Sequence, residues 1–324
     1  MVRVDVVIAT YNRHASLQRT LTALEVQSFR DFRVFVADDG SSPPVSDTLS
    51  PALADRLDLA VLRGQNSGPS EARNSAVAAG TAPLVAFVDD DVAPAPWWLE
   101  AHLATLQDEN IASIGPLLAP PGWKPTAWNR WEAERLAVEY RRMSSGEYAP
   151  TWRQFYTGNV LLSRELLTAA GPFRADFRRA EDIELALRLR RAGAHFVFTE
   201  SAIGWHYARR PLGSWLALPR QYAEYDHRLA ELHPEVAILT LVQRELGRRH
   251  PLTRRVAGLL ERVPVLRAAT VGAGVTAALG LDFVRAHALA SRSLSLVYDL
   301  EYRAAFGSAA RCAPSAGTPR DASA

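Results

Sequence analysis

The stretch VAFVDDDVAPAPWW, residues 85–98, runs from a short apolar segment straight into three adjacent acids. The apolar segment is typical of a strand that is covered on both faces. The acids are Asp89, Asp90 and Asp91. Carboxylates this close repel one another, and burying even one is costly unless a partner neutralises it. The acids therefore either lie in water on an ordinary loop or surround a cation.

Strand and helix patterns alternate upstream of this stretch. The predicted strands are Val4–Ala9, Phe32–Ala37, Leu57–Leu62 and Pro83–Val88, and the predicted helices are His14–Gln27 and Pro69–Gly80. A proline opens the second helix and a glycine closes it, as is usual for helices. This alternation predicts an α/β domain with right-handed crossovers. Downstream, Arg179–Gly193 has a strong helical pattern, and the chain is again helical from Leu212 onward.

Polar clusters follow three of the predicted strands. They are TYNR (10–13), DDGSS (38–42) and the three acids at 89–91. Ligands of open α/β sheets bind at the carboxyl ends of the strands, so these clusters predict one shared crevice. Turn-forming residues alone would explain one or two such clusters. Acids at two separate strand ends indicate a common ligand.

These segments resemble a family 2 glycosyltransferase with the GT-A fold. The resemblance also includes GPSEARNSAV (68–77), FYTGNVLLSRELLTAAGPF (155–173) and AEDIELALRLRRAG (180–193). It implies a Rossmann-like mixed sheet flanked by helices, with a helical C-terminal extension. It also implies inverting transfer of a sugar from a nucleotide diphosphate donor to an acceptor hydroxyl. A UDP-sugar is the favoured donor, while GDP and dTDP stay open.

The resemblance implies a divalent metal, Mn²⁺ or Mg²⁺, and a general base. Asp91 and His206 match the metal ligands, and Asp182 matches the base that takes the acceptor proton. A hard cation bridging diphosphate oxygens would explain why acids face an anionic donor. Imidazole suits Mn²⁺ better than Mg²⁺. Two plainer interpretations stay open: a packed core histidine at 206, and an acid that merely caps its helix at 182.

The resemblance also implies a nucleotide-sugar site. Tyr11 would stack on a flat pyrimidine, and Asp39 would accept its N3 proton, or Asp38 if the register is shifted by one. The other residues that the resemblance assigns to this site are Thr10, Arg73, Asp89, Asp90, Gly158, Asn159 and Glu181. Plainer alternatives are ordinary turns at DDGSS and YTGN and a solvated helical arginine at 73.

Composition narrows the functional class. The chain has 324 residues and a formal net charge of +2, which argues against a nucleic-acid partner. A single cysteine, Cys312, allows no disulfide framework and favours a reducing cytoplasm. The N-terminal residues lack the pattern of a signal peptide, and no apolar run reaches the length of a membrane span. We therefore expect a cytoplasmic protein, with peripheral contact at the inner face of the membrane as an open alternative.

The chain is predicted to divide into a catalytic domain at 1–210, a helical region at 211–306 and a disordered tail at 307–324. The helical region lies outside the recognised motifs. Three roles stay open for it: binding the acceptor, pairing in a homodimer or contacting a membrane surface. The apolar stretch 268–281 is predicted to be a buried helix or a membrane-surface helix.

The sequence argues against three functions other than glycosyl transfer. A sugar nucleotidyltransferase usually has a glycine-rich loop and a lysine after the first strand, whereas this chain has ATYNRH there and only Lys124 as lysine. An inactive glycosyltransferase-like scaffold would have no need to keep the acids at 89, 91 and 182. A Rossmann dehydrogenase is excluded because no G-x-G-x-x-G follows the first strand. The acceptor, whether glycan, lipid-linked or small molecule, is not specified, and a role in polysaccharide biosynthesis is an analogy only.

Overall fold

The structure, a computed structural model, describes residues 4–247, 255, 257–260 and 263–312. The chain separates into two compact units, Met1–Arg209 and Arg210–Ala324. Helix extends to Cys312, beyond the predicted start of the tail at 307. The rest of the predicted tail, 313–324, lies outside the described residues.

The first unit contains ten strands and eight α-helices among the described residues. The strands are β1 (Val4–Thr10), β2 (Phe32–Asp38), β3 (Leu59–Arg63), β4 (Leu84–Val88), β5 (Val92–Pro94), β6 (Ile111–Ile114), β7 (Leu117–Leu118), β8 (Asn159–Ser163), β9 (His195–Phe198) and β10 (Gly204–His206). The helices are α1 (His14–Glu25), α2 (Val45–Thr48), α3 (Pro51–Arg56), α4 (Pro69–Ala79), α5 (Trp98–Thr105), α6 (Ala127–Ser144), α7 (Arg164–Ala170) and α8 (Glu181–Arg191). The elements predicted individually from the sequence begin and end within two residues of these bounds.

Seven strands form the large sheet in the order β3-β2-β1-β4-β8-β6-β9. The first four in this order are parallel, while β8 is antiparallel to both β4 and β6. The predicted mixed α/β sheet with flanking helices is therefore confirmed. The parallel strands read as continuous apolar runs because helices cover both faces of the sheet.

The core of the first unit lies between this sheet and its helices. Helix α1 presents Leu17, Leu21 and Leu24 on one face, at the spacing of successive helical turns, and all three are buried. They pack in one apolar cluster with Ile8 of β1 and Val36 of β2. Packing of this kind holds the carboxyl ends of β1, β2 and β4 at fixed positions beside one another.

A second, three-stranded sheet has the order β5-β10-β7. Strand β5 begins directly after the three acids, and β10 is antiparallel to it with His206 opposite Val92. The backbone N–H of Tyr207 donates to the carbonyl of Asp91 at 2.9 Å. This small sheet therefore brings residues separated by more than a hundred positions to the same place.

The second unit is helical. Its long helices are α9 (Leu212–Leu232), α10 (Ile238–Gly247), α11 (Pro264–Phe283) and α12 (His287–Cys312). Helices α11 and α12 form a hairpin, in which the Ser293 hydroxyl donates to the carbonyl of Gly274 at 2.8 Å. Within the described part of the chain, α11 is the one helix long and apolar enough to cross a membrane by length and composition.

Candidate active site

The carboxyl ends of the parallel strands meet as the sequence predicts. Thr10 ends β1 and lies opposite Asp38 in the register with β2. Its hydroxyl donates to the carboxylate of Asp90 at 2.7 Å, across 80 residues of sequence. The end of β1, next to Asp38 of β2, is thus tied to the loop after β4, as a site shared by these strand ends requires.

Arg13, in the loop after β1, is a member of this cluster that sequence reasoning missed. Its guanidinium donates to Asp90 at 2.6 Å and to Asp91 at 2.7 Å. Burial raises the pKa of Asp90 to about 7, although Arg13 opposes the shift. The motif TYNR contained the signal, because an arginine directly after one parallel strand can reach acids that follow a neighbouring strand of the sheet. Arg13 therefore neutralises part of the charge of Asp90 and Asp91.

Asp91 and His206 face each other across the small sheet. The Nε2 atom of His206 lies 3.5 Å from Oδ1 of Asp91. Burial lowers the pKa of His206, but the hydrogen bond and charge of Asp91 outweigh this and raise it. Burial likewise opposes ionisation of Asp91, yet His206 and Arg13 hold its pKa well below the usual range. Asp91 is consequently a permanent anion near neutral pH.

This pair fits a divalent metal. Two donors on adjacent positions of one ion would lie about 3 Å apart, close to the 3.5 Å observed. Arg13 uses Oδ2 of Asp91, which leaves Oδ1 directed toward His206. Among the described residues no group of three or more His, Cys, Asp or Glu forms a metal cluster. A cation here would thus need further ligands such as diphosphate oxygens and water, as hard cations at nucleotide sites commonly have.

Arg73 joins two motifs that lie far apart in sequence. It projects from α4, its side chain is 9% exposed, and it donates to Asp89 at 3.1 Å and to Glu181 at 2.8 Å. The solvated-arginine alternative is wrong, because this guanidinium is buried between two carboxylates. Its bridge holds the first turn of α8 beside the loop that follows β4.

Asp182 lies in the first turn of α8, next to this bridge. One of its oxygens accepts the N–H of Ile183 at 2.8 Å. Burial, reinforced by the charge of Glu181, raises the pKa of Asp182 to about 7. The preceding residue, Ala180, has a φ of 56°, a left-handed conformation that is costly for a residue with a Cβ. Backbone strain is therefore stored directly before the predicted base.

The two acids at the end of β2 have different surroundings. Asp38 is buried and accepts from the backbone N–H groups of Ser41 and Val45 and from Arg63, so it organises its own turn. Asp39 accepts from the N–H groups of Ser67 and Gly68, both at 2.8 Å.

Gly68 has a φ of 102°, which favours glycine at the start of α4. Asp39 therefore ties the β2 loop to the start of α4. Tyr11, which follows β1, is 42% exposed and its ring is available for stacking.

Gly158 and Asn159 have opposite environments. A Cβ at Gly158 would lie 2.9 Å from Oδ2 of Asp89, so only glycine fits against this acid without a shift. Asn159 is fully buried: its Oδ1 accepts from Trp98 and His102, and its amide donates to two backbone carbonyls. No hydrogen-bonding group of Asn159 is left for a ligand. The proposed binding site therefore does not include Asn159.

The mixed sheet, with acids and a histidine gathered at its strand ends, defines an α/β protein with the GT-A fold. The sequence model of Glycosyl transferase family 2 matches residues 5–171. This chain belongs to that family.

Curated relatives carry related names. The pre-mycofactocin glycosyltransferase of Mycobacterium tuberculosis is 32% identical over 237 residues, which is 72% of this chain and 48% of the relative. The hyaluronan synthase of Pasteurella multocida is 27% identical over 63% of this chain and 24% of its own length. The aligned part of this chain thus spans about half of the first relative and a quarter of the second.

Solved structures share the fold at low sequence identity. The mannosyltransferase PcManGT from Pyrobaculum calidifontis, in complex with GDP-Man and Mn²⁺, has a TM-score of 0.60 and 21% identity over 94% of this chain and 85% of that one. The 1–349 fragment of S. aureus TarS, in complex with UDP-GlcNAc, has a TM-score of 0.58 and 17% identity over 95% of this chain and 92% of that one. These neighbours establish the GT-A fold.

Proposed function

We propose that this chain is an inverting glycosyltransferase that moves a sugar from a nucleotide diphosphate donor, a UDP-sugar, to an acceptor hydroxyl. The observation that carries the proposal is the buried Arg73 bridge between Asp89 and Glu181. It brings the acids after β4 and the acid pair of α8 to one crevice, where a donor and a base are both needed. Structural neighbours that bind UDP-GlcNAc or GDP-Man support a nucleotide-sugar donor.

Asp182 is the proposed general base. In the proposed reaction the acceptor oxygen forms a bond to the anomeric carbon, the bond to the diphosphate oxygen breaks, and the hydroxyl proton passes to Asp182. Attack opposite to the leaving group inverts the configuration. A carboxylate whose pKa is about 7 holds a proton more tightly than an ordinary aspartate and is still half ionised near neutral pH. The burial of Asp182 is thus suited to proton abstraction.

The nucleotide is held by the loops after β1 and β2 in this proposal. The half-exposed ring of Tyr11 stacks on the base, and Asp39 accepts its N3 proton through lone pairs that the backbone amides leave open. Thr10 and Asp90 are paired with each other and form the floor of the site. Gly158 leaves room beside Asp89 for the ribose or sugar.

Asp91 and His206 are the residues that would hold Mn²⁺ or Mg²⁺. When bound, such an ion neutralises negative charge that accumulates on the leaving diphosphate. His206 must be neutral to act as a ligand, so the ion competes with a proton that Asp91 stabilises. We assign the reaction to the cytoplasm, because a chain with one cysteine fits a reducing compartment.

Donor choice and turnover test this proposal. Titration calorimetry with UDP, GDP and dTDP, each with Mn²⁺, is expected to give the tightest binding for UDP. Mass spectrometry of a UDP-sugar panel is expected to detect slow UDP release by the wild type and by Asp176→Asn, whose carboxylate is exposed, but not by Asp182→Asn. Failure of every nucleotide to bind would overturn the proposal. Binding without any release from any donor would favour the inactive scaffold.

A further inference from the structure

Helix α11 exposes an apolar face that a water-soluble surface helix would turn inward. Its 20 residues contain only two charged side chains, Arg267 and Asp282. Val265 is 79% exposed and Phe283 is 88% exposed, while Ala278 is the buried residue of the helix. Surface helices of globular proteins normally show the reverse arrangement, with apolar residues inside and charges outside.

Both charged side chains of α11 pair with side chains of α12. Arg267 lies 3.5 Å from the carboxylate of Glu301, which is 3% exposed on α12. Asp282 lies 2.9 Å from the imidazole of His287, the first residue of α12. The outer face is therefore left without charge over the length of the helix, about 30 Å at 1.5 Å per residue.

We propose that this face of α11 lies on a bilayer surface that contains anionic lipid. The sequence between residues 244 and 262, directly before the helix, contains six arginines and only two glutamates. Anionic headgroups complement this positive charge, whereas a second copy of the chain would bring a second positive segment. A basic segment that directly precedes an apolar helix in the sequence is typical of chains that bind anionic lipid.

The hairpin lies on the membrane and does not cross it. Helix α12 is paired along α11 and carries Asp299, Glu301 and Arg303 within its length. Charged side chains of this kind are costly in the centre of a bilayer. Burial of the outer face of α11 at headgroup depth removes its apolar side chains from water and leaves the charges of α12 in the aqueous layer. This attachment is independent of the proposed chemistry.

Flotation of the full chain with vesicles tests the proposal. The vesicles contain phosphatidylcholine alone or with about one third phosphatidylglycerol. The wild type is expected to float with the anionic vesicles and to be released by high salt. Val265→Asp/Phe283→Asp changes two highly exposed side chains and is expected to lower the bound fraction about ten-fold. Val26→Asp/Val138→Asp, at exposed apolar positions in the first unit, adds the same charge and is expected to bind normally.

Three results would overturn the proposal. One is no flotation of the wild type with anionic vesicles. Another is equal loss of flotation in both double variants, or in neither. The third is a dimer in light scattering that Val265→Asp/Phe283→Asp dissociates, together with no vesicle binding, which would identify a second copy as the occupant. Circular dichroism melting of the purified variants checks that each remains folded.

Discussion

Replacing Arg73 with methionine tests the bridge that joins the two acidic motifs. Methionine keeps much of the length and apolar stem of arginine but removes the guanidinium. Asp89, Glu181 and Asp182 then remain beside one another without the cation that Arg73 supplies. We expect the first unit to lose stability, and we expect this loss to depend on pH.

The magnitude follows from the burial of each contact. Glu181 is 12% exposed, and loss of a charged hydrogen bond in such surroundings costs about 1.5–3 kcal/mol. Asp89 is 39% exposed, so its contact with Arg73 is screened by water and contributes about 0.2–1 kcal/mol. The sum is about 2–4 kcal/mol near pH 8. Arg73 also lowers the pKa of Asp182, so its removal raises that pKa above about 7. Protonation of Asp182 below pH 6 then removes its repulsion with Asp89 and Glu181. The stability that Arg73→Met loses therefore becomes smaller at low pH.

Chemical denaturation followed by tryptophan fluorescence measures this effect. Seven of the eight tryptophans lie in the first unit, so the signal reports mainly on it. Arg174→Met is the matched control, because Arg174 also makes two contacts with a carboxylate, that of Asp176, but both side chains are exposed. The control is expected to lose less than about 1 kcal/mol at either pH. Equal losses in both variants, or a loss for Arg73→Met that does not shrink at low pH, would refute the reasoning.

Three further predictions concern the chemistry. The transfer rate is expected to rise as pH increases through about 7, because Asp182 must ionise to accept a proton; a rate that falls over this range would contradict its role as base. Asp91→Ala is expected to abolish the gain in UDP affinity that Mn²⁺ provides, measured by calorimetry, and an unchanged gain would remove Asp91 from the metal site. Gly158→Ala is expected to weaken donor binding, since its Cβ would lie 2.9 Å from Asp89. Wild-type affinity in a folded Gly158→Ala protein would show that this side of Asp89 does not contact the donor.

The amino-acid sequence alone predicted the strands β1 to β4 and the helices α1, α4 and α8 of the first unit, in their order along the chain, but not the short elements α2, α3, β5, β6 and β7. Apolar runs of five to seven residues read as strands, and proline and glycine marked the ends of α4. The acids after β2 and β4 were expected at one sheet edge because parallel strands end on the same side. These features are local, or follow from topology, so periodicity and turn chemistry are enough to predict them.

Other features depend on which side chains meet. Gly158 and Asn159 are neighbours in one motif but have different surroundings. The side-chain hydrogen-bonding groups of Asn159 are all used by buried partners, whereas Gly158 leaves space beside Asp89. Arg13 and Arg73 look like ordinary basic residues in sequence, but packing aims both at carboxylates 16 to 108 positions away. The catalytic and binding roles of these residues stay predictions, while their positions are structural observations.

Local patterns in the sequence thus determined the elements that were predicted, because hydrophobic periodicity and the residues at strand ends can be read directly from a linear sequence. The electrostatic character of the site was decided by tertiary structure. The pKa of Asp182 near 7, the neutralised Asp90 and the uncharged outer face of α11 each result from burial and from partners distant in sequence. Electrostatic energies depend on distance and on exclusion of water, and only the folded chain determines either.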